Sequence, residues 1–300
     1  MQLTIVVSTH NRANALQRSL DTLNRINTDV DWELIIVNNA STDNTAAVLQ
    51  SFASKTTHKV RLLYEPRLGL SCARNAGLSA ARGEIVAFTD DDCYPQSDYA
   101  SIVIQRFADP EVAFVGGRVL LYDPTDLRMT IQELDREVVI KPYSYIAPGM
   151  IHGANMAFRR SILLDLAGFD ERLGAGSPFK AAEDTDAVIR CSKAGFGGFY
   201  DPALIVKHHH GRKSPDDARA LKKNYAIGRG ACFMKHCLDI TSRSHYMRRW
   251  YWHLRLIPYS TRNLELWTGL RFMMRYGVIP SKVYQHPHNC LNMIDIGCVD

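Results

Sequence analysis

Four short apolar runs, Leu3–Val7, Leu34–Val37, Val60–Tyr64 and Ile85–Phe88, fall within the first ninety residues, with stretches of helical spacing between them. Ala15, Leu16, Leu20 and Leu23 mark one such stretch, Ala46, Val48, Leu49 and Phe52 a second, and Leu70 to Ala81 a third. Runs without polar alternation predict strands buried on both faces. Short links between alternating strands and helices then predict a βαβαβαβ unit, with a mostly parallel sheet covered by helices on both sides. Ligands of such sheets bind beyond the carboxyl ends of the strands. Thr9–Asn11, Asn38–Asp43 and Asp90–Asp92 follow three of the runs, so they are expected to converge on one crevice.

Asp90-Asp91-Asp92 closes the fourth run. Strand alternation predicts Asp90 and Asp92 on one face and Asp91 turned away. Neighbouring buried carboxylates need a cation or a proton. A hard divalent ion shared with phosphate oxygens would supply the cation. An acidic surface turn ended by Pro95 accounts for the same residues.

Beyond Pro95 the rhythm loosens. Val112–Leu121 reads as a strand interrupted by Gly116-Gly117, where a backbone or a ligand can come close. Pro142–Gly153 and Gly174–Pro178 read as loops, the second just before Ala182-Glu183-Asp184-Thr185-Asp186. From Asp216 onward long helices dominate. An apolar content of 46% and a charged content of 22% over 300 residues provide for a sizeable core. The seven Cys form no CxxC pair and are odd in number, which argues against a disulfide framework or zinc site and favours a reducing cytoplasm. No N-terminal leader pattern is expected, and no run reaches the ~18 apolar residues of a spanning helix. Neither a Walker motif nor GxGxxG occurs, which disfavours P-loop and dinucleotide chemistry.

Several segments, in order, resemble family 2 glycosyltransferases with the GT-A fold. Val7-Ser8-Thr9-His10-Asn11-Arg12 and Val37-Asn38-Asn39-Ala40-Ser41-Thr42-Asp43 are similar to that family's nucleotide-binding half. Gly69 to Gly77, Gly83-Glu84 and Asp90-Asp91-Asp92 resemble its approach to a DxD metal site. Gly116-Gly117-Arg118-Val119, Gly153 to Arg160 and Gly168-Phe169-Asp170-Glu171 resemble its acceptor half, and Glu183-Asp184 its ED motif. The resemblance implies a GT-A catalytic domain over 1–210, with a donor half at 1–95 and an acceptor half at 96–210. A basic, aromatic-rich helical extension would follow at 211–300. It further implies inverting, divalent-metal-dependent transfer from a nucleotide-diphosphate sugar to an acceptor hydroxyl, in making a cell-surface polysaccharide or glycolipid. Asn38 stands where the family commonly has an Asp that meets uracil. An amide oxygen still accepts a hydrogen bond, so a UDP donor remains the expectation.

On this resemblance Asp184 is the expected general base. One of Asp184 and Asp186 merely capping a helix is the alternative. Asp92, with Asp90 and His208, would hold Mn²⁺ or Mg²⁺, imidazole favouring Mn²⁺, although His208-His209-His210 could equally form a solvated basic turn. Thr9, Asn11, Arg12, Asn38, Asn39, Arg74, Asp90 and Asp91 are expected around the donor nucleotide, with Arg74 as a helix-surface residue the alternative. Gly117, Gly153, Asn155 and Glu183 are expected around the donor or acceptor sugar.

The net charge of +5 hides an asymmetry: residues 205–288 sum to +12 and the remainder to −7. The basic part is interleaved with Trp250, Tyr251, Trp252, Trp267 and Phe272. A helical subdomain packed on the catalytic body, an anionic membrane contact and nucleic-acid binding draw on the same materials, nucleic acid being the least favoured. The expected setting is cytoplasmic, peripheral on the inner face of the cell membrane. Transfer to a polyprenyl phosphate, or a catalytically silent nucleotide- or nucleic-acid-binding protein on the same fold, are the competing functions.

Overall fold

A computed structural model describes residues 1–277 of the chain. The end of the predicted extension, with Cys290 and Cys298, lies outside the described residues.

The N-terminal half forms β1 (Leu3–Thr9), α1 (Leu16–Leu23), β2 (Trp32–Asn39), α2 (Thr45–Ala53), β3 (Val60–Glu65), α3 (Leu70–Ala80) and β4 (Ile85–Asp90). After it come β5 (Cys93–Pro95), α4 (Tyr99–Arg106), β6 (Val112–Leu121), β7 (Val138–Ile140), β8 (Met156–Arg159), α5 (Arg160–Asp165), α6 (Glu183–Lys193) and β9 (Gly197–His208). Three helices close the described chain: α7 (Pro215–Leu238), α8 (Arg243–Leu256) and α9 (Tyr259–Tyr276).

All nine strands join one sheet in the order β3-β2-β1-β4-β8-β6-β9-β5, with β7 also paired to β9. β3, β2, β1 and β4 run parallel, whereas β8 is antiparallel to both β4 and β6. Successive residues alternate between two cores. Leu3, Ile5, Val7, Leu34, Ile36, Ile85 and Ala87 pack with α1, α2 and α4 on one side. Val6, Ile35, Val37, Val86 and Phe88 pack with α3, α6 and α7 on the other. Burial on both faces is why these strands lack polar alternation.

Register sets the site. Thr9 lies opposite Asn38, and Ser8 opposite Asp90, so the carboxyl ends of β1, β2 and β4 stand side by side. The two loops that follow β1 and β2 are laced together. Asn11 N–H donates to Ser41 Oγ at 2.9 Å, Thr42 N–H to Asn11 Oδ1 at 2.8 Å, and Arg12 N–H to Thr45 Oγ1 at 3.0 Å.

The basic C-terminal segment is partly neutralised by the body it packs on. Lys235 Nζ lies 2.7 Å from both Asp170 and Asp186, and Lys213 lies 2.9 Å from Asp123. Asp186 is fully buried and also meets Arg190 at 2.8 Å and His236 at 3.0 Å, tying α6 to α7. Burial raises the Asp186 pKa, but Lys235, Arg190 and His236 overcome it and hold the carboxyl well below its usual value. A depressed carboxylate stabilises the fold above its unfolded pKa of about 3.9, and that contribution fades as pH falls toward the folded value. Asp186→Asn is therefore expected to cost about 2 kcal/mol at neutral pH. Its deficit against wild type shrinks below about pH 4. Urea unfolding at pH 7 and pH 3.5 checks both parts.

Candidate active site

A cleft of about 680 Å³ opens at the carboxyl ends of β1 and β4 and reaches across to α6 and α7. That volume lies within the range of small-ligand sites. Thr9, Arg12, Asn39, Arg74, Asp90, Asp91, Asp92, Gly153, Glu183, Asp184 and His208 all line it.

The acidic triplet does not follow strand alternation. β4 ends at Asp90, and Asp91 and Asp92 sit in the turn before β5. Asp91, expected to turn away, faces the cleft, with one oxygen 3.3 Å from Arg12 Nε. Asp92 lies 3.0 Å from Arg12 Nη2 and 3.3 Å from His208 Nε2. Burial pushes the Asp91 carboxyl up to about 6 against the pull of Arg12. At Asp92 burial acts the same way, but His208 and Arg12 outweigh it and hold the group at about 2. Burial likewise opposes protonation of His208, and Asp92 reverses it, raising the imidazole pKa. The two groups lie within ion-pair distance, and each favours the charged form of the other.

This pair suits a divalent cation. Antiparallel pairing of β5 with β9 sets Cys93 opposite His208, which brings Asp92 to the imidazole. His208 Nδ1 lies 3.2 Å from the Thr130 carbonyl, an acceptor that fixes the proton there and leaves Nε2 toward Asp92. A metal-binding His commonly has such a partner on its other nitrogen. A bound ion would take the place of the Nε2 proton. Cys93 Sγ lies near both groups, but the thiol is buried and its pKa is raised well above the ordinary value, which disfavours thiolate ligation.

Arg74 is no helix-surface residue: it is 2% exposed and spans the two halves of the site. Its guanidinium reaches Asp90 at 3.0 Å, Glu183 at 2.8 Å and the Gly153 carbonyl at 3.0 Å. Gly153 N–H in turn donates to Asp184 Oδ2 at 2.8 Å. A Cβ at Gly153 would sit 3.0 Å from Arg74 and 3.3 Å from Asp184, so the glycine permits this junction. Burial, then repulsion from Asp184, pushes Glu183 up to about 7 in spite of Arg74. Asp184 itself is half-buried and its Oδ1 accepts from Thr185 N–H in the first turn of α6 at 2.6 Å, while the N-cap residue Ala182 has φ 75° and offers no side-chain cap. A left-handed alanine is uncommon, and strain of this kind gathers at functional sites.

Other expected residues stand elsewhere. Gly117 and Asn155 do not line the cleft. Gly117 packs its α-carbon against Leu204 of β9, and the buried Asn155 Nδ2 donates to the carbonyls of Arg118 and Leu204 at 2.9 Å. Asn155 thus bridges β6 and β9 where their register shifts at Gly117/Arg118. Asn38 and Asn11 are also absent from the lining, Asn11 being spent on the laced loops. Asn39 does line the cleft, yet it bonds the Glu65 and Arg67 carbonyls and Gly69 N–H, fixing the entry to α3. Conversely, His152, Lys180, Arg212 and, from α7, Leu221, Asn224 and Tyr225 line the cleft although no sequence signal singled them out, and Arg229, which the sequence offers only as part of the basic segment, lines it too. His152 directly precedes Gly153, the one feature that could have drawn attention to it.

The model of glycosyl transferase family 2 matches residues 4–166, more than half of the chain. The chain belongs to glycosyl transferase family 2. Within the family it is 28% identical over 218 residues to the pre-mycofactocin glycosyltransferase of Mycobacterium tuberculosis, covering 69% of this chain and 43% of that one. It is 26% identical over 169 residues to the putative glycosyltransferase EpsH of Bacillus subtilis, covering 54% of this chain and 48% of that one. The chain thus spans less than half the length of these two relatives. Among solved structures it resembles the mannosyltransferase PcManGT of Pyrobaculum calidifontis in complex with GDP-Man and Mn²⁺. The TM-score is 0.65 at 22% identity, covering 93% of this chain and 76% of that one. It also resembles S. aureus TarS in complex with UDP-GlcNAc, with a TM-score of 0.56 at 16% identity, covering 93% and 82%. The fold of this family 2 chain is GT-A, with a helical C-terminal region. No helix of the described residues is long and apolar enough to cross a membrane.

Proposed function

We propose that this protein is an inverting glycosyltransferase that moves a sugar from a nucleoside-diphosphate donor, UDP-linked, to an acceptor hydroxyl of a cell-surface glycan or glycolipid. One observation carries the proposal: the Asp92–His208 pair and the Asp184 carboxylate share one cleft, linked through Asp90, Arg74 and Gly153. Family membership and neighbours whose complexes hold GDP-Man with Mn²⁺ or UDP-GlcNAc support it.

In inverting transfer the bond from acceptor oxygen to anomeric carbon forms as the bond to the diphosphate breaks. Asp184 takes the acceptor hydroxyl proton, its Oδ2 held by Gly153 N–H. Asp92 and His208, with Asp90 beside them, would hold Mn²⁺ or Mg²⁺. When bound, the ion supplies positive charge to the departing diphosphate. Thr9, Arg12 and Asp91 face the nucleotide, and Glu183 and Gly153 the sugars. A cytoplasmic setting at the inner face of a membrane fits a glycolipid acceptor.

UDP with Mn²⁺ is expected to raise the melting temperature more than UDP alone, GDP with Mn²⁺ or single-stranded nucleic acid. A ligand at a hundred times its Kd contributes about 2.7 kcal/mol. His208→Ala should lose the Mn²⁺-dependent increment and keep the rest. A full Mn²⁺ increment in His208→Ala, or no response to any nucleotide with Mn²⁺, would contradict the assignment.

A further inference from the structure

Outside the cleft, the most unusual surface lies on α8 and α9. Each helix buries one stripe: Tyr246 and Trp250 of α8, and Glu265, Thr268 and Phe272 of α9. The outer stripes carry large apolar side chains in the open, among them Leu256 (85% exposed), Tyr259 (73%) and Trp267 (57%). Of the fifteen exposed large apolar side chains among the described residues, ten fall between Ile240 and Met274, so they are concentrated rather than scattered. Concentrated apolar exposure marks an interaction site.

Charge narrows the partner. Residues 243–275 contain seven arginines and a single acid, Glu265, which is fully buried and held by Arg229 at 2.7 Å. Among the described residues no carboxylate lies within ion-pair distance of any of the seven. The outward field is therefore wholly cationic. Arg255 stands over the rings of Tyr251 and Trp252, at 5.7 and 5.5 Å, and Arg271 over Trp267 at 5.7 Å. Cation and aromatic ring are thus offered together, as at a membrane interface, where the ring takes the headgroup level and the arginine pairs with anionic lipid.

A second copy of this chain would bring arginine against arginine. Nucleic acid would satisfy the arginines and stack on the rings, but offers little to Met247, Leu256 or Met274. A bilayer takes all three kinds of group. We propose that the outer face of α8 and α9 is a docking surface for an anionic lipid bilayer. α7 lies between the two sites: its Tyr225 and Arg229 line the cleft, and Arg229 is bonded to Glu265 on the inner face of α9. Lipid docking would set the cleft beside the surface that carries lipid-linked substrates.

Full-length protein should co-sediment with vesicles of phosphatidylglycerol and phosphatidylcholine at low salt. It should bind pure phosphatidylcholine poorly and release from anionic vesicles as salt rises. Arg255→Gln and Arg271→Gln should each weaken binding about five-fold. Trp267→Ala should weaken it at all salt concentrations, and each variant should keep the wild-type circular dichroism spectrum. The proposal is overturned if no anionic vesicle is bound, if the variants bind as wild type, or if single-stranded DNA is retained in place of vesicles. No donor is present in this measurement, so its failure would leave the transfer chemistry standing, and an inactive protein that bound vesicles would leave this proposal standing.

Discussion

Asp184→Asn lowers kcat by about 10²- to 10⁴-fold, the usual contribution of a general base, and leaves nucleotide-dependent stabilisation at the wild-type level. The substitution is nearly isosteric. Its amide oxygen can still accept the Gly153 N–H that meets Oδ2 at 2.8 Å, while the amide nitrogen in place of Oδ1 gives up the bond from Thr185 N–H. The larger loss is the ability to take a proton. Both oxygens of Asp184 already accept backbone bonds, the second from Thr185 N–H at 2.6 Å, so the carboxylate is fixed rather than free to swing. A fixed base loses little entropy when the acceptor hydroxyl arrives. Single-turnover kinetics with donor and acceptor at saturation separate this from a binding defect. Turnover within a few-fold of wild type would remove Asp184 from the role.

Arg74→Met is expected to be the most destabilising single change in the site, about 3–5 kcal/mol. Removing one member of a buried ion pair leaves its partner's charge without compensation. Here the guanidinium serves Glu183, which is nearly buried, and Asp90 together. Burial works against the Arg74 charge, but Asp90 and Glu183 overcome it and raise its pKa. Methionine fills much of the volume, so a cavity contributes little and the loss reports on charge. Denaturant unfolding at pH 7 measures it. A loss below about 1 kcal/mol, typical of an exposed pair, would show that the bridge between β4 and α6 does little. Adding Glu183→Gln to Arg74→Met should recover more of the loss at pH 9 than at pH 7, because Glu183, already pushed up to about 7 beside Arg74, takes up a proton at neutral pH once the guanidinium is gone.

How far the fold could be read depended on the range of the interactions. Leu3–Val7 and Leu34–Val37 announce buried parallel strands because each residue's environment repeats along the run, and the loops after them must then meet. Asp90-Asp91-Asp92 could be placed at a strand end, but its division of labour could not. The strand stops at Asp90, and the turn that follows is shaped by Arg12 and His208, which lie far away in sequence. Gly117 and Asn155 illustrate the same limit. Their residue types suit a sugar wall, and only the approach of β9 at Leu204 shows that they serve the sheet.

The C-terminal region was the least legible. Its excess of Lys and Arg suggests one solvated cationic face, whereas the structure divides it. Lys235, Lys213 and Arg229 turn toward Asp170, Asp186, Asp123 and Glu265, while most arginines of α8 and α9 stay exposed. Nor does composition reveal that α7 supplies Leu221, Asn224 and Tyr225 to the cleft. Residues of α7 thus close one wall of the cleft from far along the chain.

The central claim is a metal-assisted sugar transfer built on Asp92, His208 and Asp184. The most direct measurement is donor turnover across a panel of UDP- and GDP-sugars, with Mn²⁺ and with chelator, following the anomeric configuration of the released or transferred sugar by NMR. The account predicts that a UDP-sugar is consumed only with Mn²⁺, with inversion at the anomeric carbon. It further predicts that Asp184→Asn loses the reaction while still binding UDP. Retention of configuration, or turnover unchanged by chelator, would contradict it.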